Sequence, residues 1–412
     1  MIKSAFLLTA LLSSIANAAS FDPEVNLAKV EQEAQRLRTQ LRNPALASDK
    51  VKITLNSKLQ QLGNQRSFVG DSDGAMAAFD ETETLHERRN AAADAGESAR
   101  LEAAKAEDAI SAIVREAANH RIVILNEAHH VPLHRAFAMR LARELRKLGY
   151  TWLACETFEN TPLRKGYLAL SDGYYSREPA FGNFLRDAAA DGWKLVQYEP
   201  FDEITGETDA QQIDQRDSGE ARNLVKRIFD QDPNAKAFIY VGYSHAQKVP
   251  RVGDSGGGAW MAAQLSHMTG LEPLTIDQTI MMEHVDQAAE YPLYAAAVGG
   301  AGQTTPIVLR APDGRYEVFG RYRLSMDMQV IHPRYGTDAD TGRPTWLRTV
   351  AGFQPAEIPQ KMRRPAKPYF VYAYPKNQPK DAVPADIVQI TPGKPLPKLM
   401  LPDAQFRFAI RQ

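Results

Sequence analysis

The sequence predicts an α/β protein: a mainly parallel sheet with helices on both faces, preceded by a helical region and followed by a β-rich one. Three observations predict it. Between Arg121 and about Pro306, short β-branched runs alternate with longer stretches of helical periodicity. Ahead of them, Phe21 to Asn119 is dominated by Ala, Glu, Gln, Arg and Leu. Behind them, Pro and Gly become frequent, helical periodicity fades and short β-like runs take over.

Bulk properties narrow the class further. The chain has 412 residues, long enough for two or three domains, with 49 Lys plus Arg against 50 Asp plus Glu. That balance gives no electrostatic reason to expect nucleic acid or an anionic membrane as partner. The expected partner is a small-molecule or peptide substrate. No segment approaches the roughly 20 apolar residues of a membrane span.

The first residues read as a cleavable signal peptide. Met1-Ile2-Lys3 is a short positive region, Ala5 to Ile15 is apolar without charge, and Ala16-Asn17-Ala18 is an A-x-A cleavage site. The mature protein is expected to be periplasmic or secreted. Its one cysteine, Cys155, allows no internal disulfide and reads as a buried apolar filler.

The chain divides into a signal peptide (1–18), a helical region (19–119), an α/β core (120–305) and a β-rich region (306–412). In the helical region, VGDSDGAMAAFDETETL looks like one helix-turn-helix unit with Gly70 and Gly74 at its turn. It is a single copy, and repeat units of that kind need neighbours. In the core, RIVIL is the first strand, followed by a helix that opens on Pro132 and closes on Gly149. TWLAC, WKLVQY, AFIYVGY and PLTID supply four more strands. The intervening helices are PAFGNFLRDAAADG, SGEARNLVKRIFD and WMAAQLSHMTG. PIVLRA, YEVFGRY, YFVYAYP, DIVQI and FRFAI make the β-rich tail, from which one or two strands are expected to complete the central sheet.

Polar residues recur at the ends of the strands. The first ends in Asn126-Glu127-Ala128-His129-His130, the second in Glu156-Thr157, the third in Glu199-Pro200-Phe201-Asp202 and the fourth in Tyr243-Ser244-His245. A parallel sheet puts all four on one edge, where α/β proteins bind ligands. Carboxylate and imidazole together make either an acid–base pair or a metal site. In the first case His129 or His130 activates water, oriented by Glu127. Glu156 holds a second imidazole or a metal, and His245 acts as acid or stabilises an oxyanion. Arg135, Tyr243 and Asp202 are candidate substrate contacts. In the second case His129, His130, His134, Glu156 and His245 are the candidate ligands, with His130 and His134 spaced four apart. A divalent transition metal or haem is the cofactor that such residues would take. Ser244 lacks the G-x-S-x-G elbow of a serine hydrolase. The run Gly253 to Gly258 lacks the Lys-Ser/Thr of a phosphate loop and reads as a loop beside His245. His267 and His284 read as structural.

These motifs resemble a known superfamily. Asn126 to His134 (NEAHHVPLH) is similar to the G-E-x-H-D-x-P-x-H opening of ChaN-like haem-iron-binding proteins, and also to the G-E-A-T-H-G opening of erythromycin esterase-like proteins, in which Glu127 and His130, rather than His129, are the matching pair. Val241 to Pro250 is similar to a later G-x-G-H segment. Arg216 to Asn223 resembles the R-D-x-x-M-A-x-N helix of the esterase-like branch, and Glu156 matches a Glu of both. The resemblance covers residues 122–279. Asn126 stands where the first Gly is usual, Glu220 where Met is, and Tyr243-Ser244 where small residues precede the last His. The resemblance implies either hydrolysis of a cyclic ester with His as base on water, metal-dependent proteolysis as in Tiki-type members, or binding of haem or iron.

Overall fold

The computed structural model describes residues 23–85, 95–200, 204–250, 258–299, 303–363 and 367–411. The expected signal peptide, Asp202 and most of the Gly253–Gly258 run lie outside them. Four helices come first: α1 (Pro23–Arg42), α2 (Asp49–Phe68), α3 (Ser72–Leu85) and α4 (Ala95–Ala103). Ser48 caps α2 by accepting from Val51 N–H. Gly70, at φ 79°, makes the α2–α3 turn as the sequence suggested, whereas Gly74 lies inside α3.

The alternating core follows as β1 (Lys105–Asp108), α5 (Ala109–Ala117), β2 (Ile122–Glu127), α6 (Pro132–Lys147), β3 (Trp152–Cys155), α7 (Pro179–Ala190), β4 (Lys194–Val196), α8 (Asp209–Leu224), β5 (Ala237–Gly242), α9 (Met261–Thr269) and β6 (Leu274–Asp277). From the tail, one strand, β8 (Met328–Gln329), joins the central sheet, while β7 (Ile307–Arg310) pairs with β1. The central sheet has six parallel strands in the order β4-β3-β5-β2-β6-β8.

Successive strand residues point to opposite faces, and both faces are covered. Val123 and Leu125 pack with Phe137, Leu141 and Phe184 of α6 and α7. Ile122 and Ile124 pack with Ala221, Leu224, Met261 and Leu265 of α8 and α9. This is why the strands read as unbroken apolar runs. No described helix is long and apolar enough to cross a membrane.

Sequence and structure part at two strands in particular. The polar KAED of β1 has no strand periodicity, yet it pairs antiparallel with β7 and so staples the helical region to the tail. Asp108 then caps α5 through Ser111 N–H. YEVFGRY forms no regular strand, because Gly320 adopts φ 70° and starts a short 3-10 turn. Further along, the tail forms a three-stranded antiparallel sheet of Asp386–Ile390, Tyr369–Pro375 and Phe406–Arg411, with two small antiparallel pairs beside it, Thr337–Asp338 with Arg343–Pro344 and Gln354–Ala356 with Leu399–Leu401.

Candidate active site

Register explains how the strand ends meet. Glu127, the last residue of β2, lies opposite Gly242, the last of β5. Glu156 follows β3, donating its N–H to Tyr240 of β5. Glu127, His129, Glu156 and His245 therefore gather on one sheet edge, with Tyr175, Glu199 and Arg216 beside them.

The tandem histidines diverge. His129 donates Nδ1–H to Glu127 Oε1 at 2.8 Å and stacks on Tyr175, with ring centroids 3.8 Å apart. Its other side approaches Gly242 so closely that a Cβ there would stand 2.5 Å from Nε2 and 2.9 Å from Glu156 Oε2. His130 turns the opposite way. It stacks on Phe79 of α3, 3.5 Å between centroids, and its Nδ1 lies 3.4 Å from the Tyr243 hydroxyl. Among the described residues its buried Nε2 has no hydrogen-bond partner. Burial, reinforced by His284, His129 and Arg135, holds His130 well below the usual imidazole range. The pair thus resolves into one imidazole at the cleft and one behind it.

Arg135 corrects the sequence expectation of a substrate contact. Its side chain is fully buried, where no substrate reaches it. It clamps Glu127 with Nε and Nη2, donates to Glu178 at 3.2 Å and donates to the His129 carbonyl at 2.6 Å. Burial raises the Glu127 carboxyl, but Arg135 and His129 outweigh it and leave Glu127 below its ordinary value. Arg135 positions the base pair from behind.

His134 is likewise not brought to the cleft. The helix starts at Pro132, so His130 precedes it and the spacing of four does not lie on a helix face. His134 Nδ1 accepts from Ala128 N–H at 3.1 Å, and its ring lies 5.5 Å from that of His332.

The second half of the site comes from α8. This helix starts at Asp209, nine residues before the SGEARN segment from which the sequence suggested it, with a Thr208–Gln211 capping box. Arg216, Asp217 and Glu220 consequently share its inner face. Asp217 accepts His245 Nδ1–H at 2.5 Å, and Arg216 Nη1 lies 3.3 Å from His245 Nε2. Burial lowers the His245 imidazole, but Asp217 and Glu220 more than reverse this and push it up to about 10. Neutral, Nε2 accepts from Arg216; protonated, it has a proton to give. Asn223 holds the end of β4 through the Tyr198 carbonyl.

Arg216 also binds Glu156 at 2.5 Å, Glu199 at 2.9 Å and Glu220 at 3.0 Å. Gly242 N–H donates to the other Glu156 oxygen. Burial raises the Glu156 carboxyl, but Arg216, then His245 and His129, hold it at about 2. On Glu220, burial, joined by the Glu199 and Asp217 charges, outweighs Arg216 and His245 and raises the carboxyl well above the usual range.

The residues do not fit the cofactors that the sequence suggested. His129, His130, His134, Glu156 and His245 do not converge on one point. Ligand atoms of Glu156, Glu199 and Glu220 do lie close together, but the Arg216 guanidinium already bridges all three. In the set of Asp217, Glu220 and His245, the His245 Nδ1 proton is committed to Asp217. For haem, Tyr243 is the expected oxygen ligand, yet its hydroxyl points at His130. Tyr243 itself sits at φ 41°, a strained value for a bulky side chain, at the turn that delivers His245. Cys155 is buried, and burial followed by the Glu127 charge pushes its thiol well up, as an inert filler requires.

Sequence reasoning missed Asp217 and Glu220 as partners, and Tyr175 and Phe79 as ring contacts. The i, i+1, i+4 spacing of Arg216, Asp217 and Glu220 was the available signal.

Neither a family model nor a curated protein matches this chain. Among solved structures it is similar to one described as bacterial protein toxins, at 12% identity and TM-score 0.31, covering 62% of this chain and 65% of that one. It is also similar to the type III effector HopBA1, at 13% identity and TM-score 0.32, covering 54% of this chain and 93% of that one. A third is RRSP, a MARTX toxin effector domain from Vibrio vulnificus, at 12% identity and TM-score 0.29, covering 63% of this chain and 65% of that one. The chain thus spans just under two thirds of the length of the first and third of these structures.

Proposed function

We propose that this chain is an exported hydrolase of ester or amide bonds that needs no metal. The observation that carries this reading is a pair of imidazoles on one sheet edge, each backed by a buried carboxylate: His129 on Glu127 and His245 on Asp217. The surroundings of His245 suit it to the acid's task in such a pair. His129, with Nδ1–H committed to Glu127, has Nε2 as the base that takes a proton from water. His245, held protonated by Asp217 and Glu220, is the acid that returns a proton to the leaving group. Arg216, 19% exposed, stabilises the oxyanion of the tetrahedral intermediate beside it. Glu156 keeps Arg216 in place. The resemblance to the erythromycin esterase-like proteins supports the reaction class, a His acting on water against an ester, while its motif matches Glu127 with His130 rather than with His129.

The test is a panel of small esters and peptides incubated with the mature protein in ¹⁸O-water. One ¹⁸O in the carboxylate product is expected from at least one member, with no loss of rate after chelator treatment. A Soret band in the purified protein, or a stoichiometric metal whose removal abolishes turnover, would overturn the reading.

A further inference from the structure

The helical region touches the site through two separate ring-to-ring paths, and both end on His129. On one path, Phe68 of α2 packs its ring edge-on to Tyr174 at 5.4 Å, and Gln65 donates to the Tyr174 hydroxyl at 3.4 Å. Tyr174 meets Tyr175 edge-on at 5.1 Å, and Tyr175 stacks on the His129 ring. On the other path, Phe79 of α3 stacks on His130, whose Nδ1 lies 3.4 Å from the Tyr243 hydroxyl. The Tyr243 ring then meets His129 edge-on, at 5.3 Å and 90°. Asp80, next to Phe79, is buried and anchors α3 to the core, accepting from His284 Nδ1 at 2.6 Å and from Asp286 N–H at 2.9 Å. His284 is therefore the anchor of this helix against the core rather than an isolated residue.

We infer that the α2–α3 hairpin is a wall of the active site, and that Phe68, Gln65 and Phe79 are positioning residues for the His129 ring. Physical considerations favour this over a passive packing contact. An imidazole held only at Nδ1 by Glu127 keeps freedom to swing about that hydrogen bond. A stack on one face and an edge contact on another remove that freedom, and a base displaced by about 1 Å costs about 10²-fold in rate. Tyr243 also needs outside support, since its left-handed backbone is strained. Its hydroxyl contact with His130, itself pinned under Phe79, is such support. The two paths share no residue before His129 but converge on that one ring, so their effects are coupled there.

The inference rests on the hydrolase reading only for its rate effects. The decisive experiment reads the ring itself: proton–carbon spectra of histidine-labelled full chain, following the His129 Cε1–H signal. In the wild type, stacking on Tyr175 should shift that signal upfield of an exposed histidine. Phe79→Leu and the pair Phe68→Leu with Gln65→Leu should each move it, and Phe79→Tyr should restore it. Should Phe79→Leu not fold, His284→Gln loosens the same helix from the core side and should move the signal in the same direction. With p-nitrophenyl acetate as probe, each cut should lower kcat about tenfold with KM within twofold, and both together should lower it at least as far as either alone. A His129 signal unmoved by folded variants of both paths would overturn the inference. Absence of any esterase or peptidase activity would instead count against the hydrolase reading and leave the spectral test standing.

Discussion

Gly242→Ala is the sharpest perturbation of the site, because it adds one methyl group and nothing else. Gly242 has φ −78° and ψ 139°, a conformation any residue adopts, so the backbone itself accepts alanine. The new Cβ would stand 2.5 Å from both Cε1 and Nε2 of His129 and 2.9 Å from Glu156 Oε2. Ordinary contacts to carbon sit at about 3.5–4.0 Å, so the imidazole must retreat by about 1 Å. It has little room to do so, since Tyr175 stacks on its face and Glu127 holds its Nδ1. Glu156 is tied to Arg216 and to Gly242 N–H, and it moves no more freely. Overpacking of this kind costs about 1–3 kcal/mol, a loss that a folded domain of this size survives. The displacement of the base costs about 10²-fold in kcat/KM. The assay is a paired measurement of thermal midpoint and hydrolytic rate, with Gly336→Ala as control, since its Cβ would meet nothing within 4 Å. An alanine variant with the full rate and an unchanged midpoint would refute the packing of His129 against β5.

Three further outcomes follow from the buried charges. Arg135→Met strands Glu127 and Glu178 without their cation, so denaturant unfolding should show a loss of about 3–5 kcal/mol; a loss under 1 kcal/mol would mean that the clamp is not formed. Burial pushes His332 down to about 3, so it stays neutral in the fold but binds a proton when unfolded below about 6.5. Stability from this group is therefore present at high pH and lost as pH falls from about 6.5 toward 3, about 2 kcal/mol of it between pH 7.5 and 5. Comparing urea midpoints of wild type and His332→Leu at those two pH values should show that differential, and parallel behaviour of the two proteins would dismiss it. The raised His245 carries the opposite sign, with its stabilising ion pair lost as pH climbs through about 10. Asp217→Asn should accordingly bring the alkaline limb of the rate profile down by several pH units, and an unmoved limb would detach His245 from the acid role.

The strands and the edge they share were legible because a sheet covered on both faces leaves unbroken apolar runs, and the polar cluster after each run marks where it ends. Glu127, His129, Glu156 and His245 stood out for that reason. What the sequence hid was direction. Adjacent histidines face opposite ways, so His130 went to Phe79 and only His129 to the cleft, and no local pattern distinguishes them. Arg135 reads as a substrate contact until Glu127 and Glu178 close around it. His134 reads as a metal ligand until the helix is seen to begin at Pro132. The α8 residues were hidden differently: the start of the helix is set by Thr208 and Gln211, far from the apolar run that announces it. Strand β1 carries no apolar signal at all and exists through its pairing with β7.

The most direct measurement is the hydrolytic rate of Glu127→Gln and His245→Ala beside the wild type, each shown to be folded by circular dichroism, on whichever ester or peptide the ¹⁸O panel identifies. Glu127→Gln keeps the shape beside Arg135 but removes the charge that orients His129, and His245→Ala removes the acid. Loss of turnover by at least about 10²–10³-fold in both, with folding intact, is the expected result. Full activity in both folded variants would contradict the assignment of this sheet edge as the catalytic site.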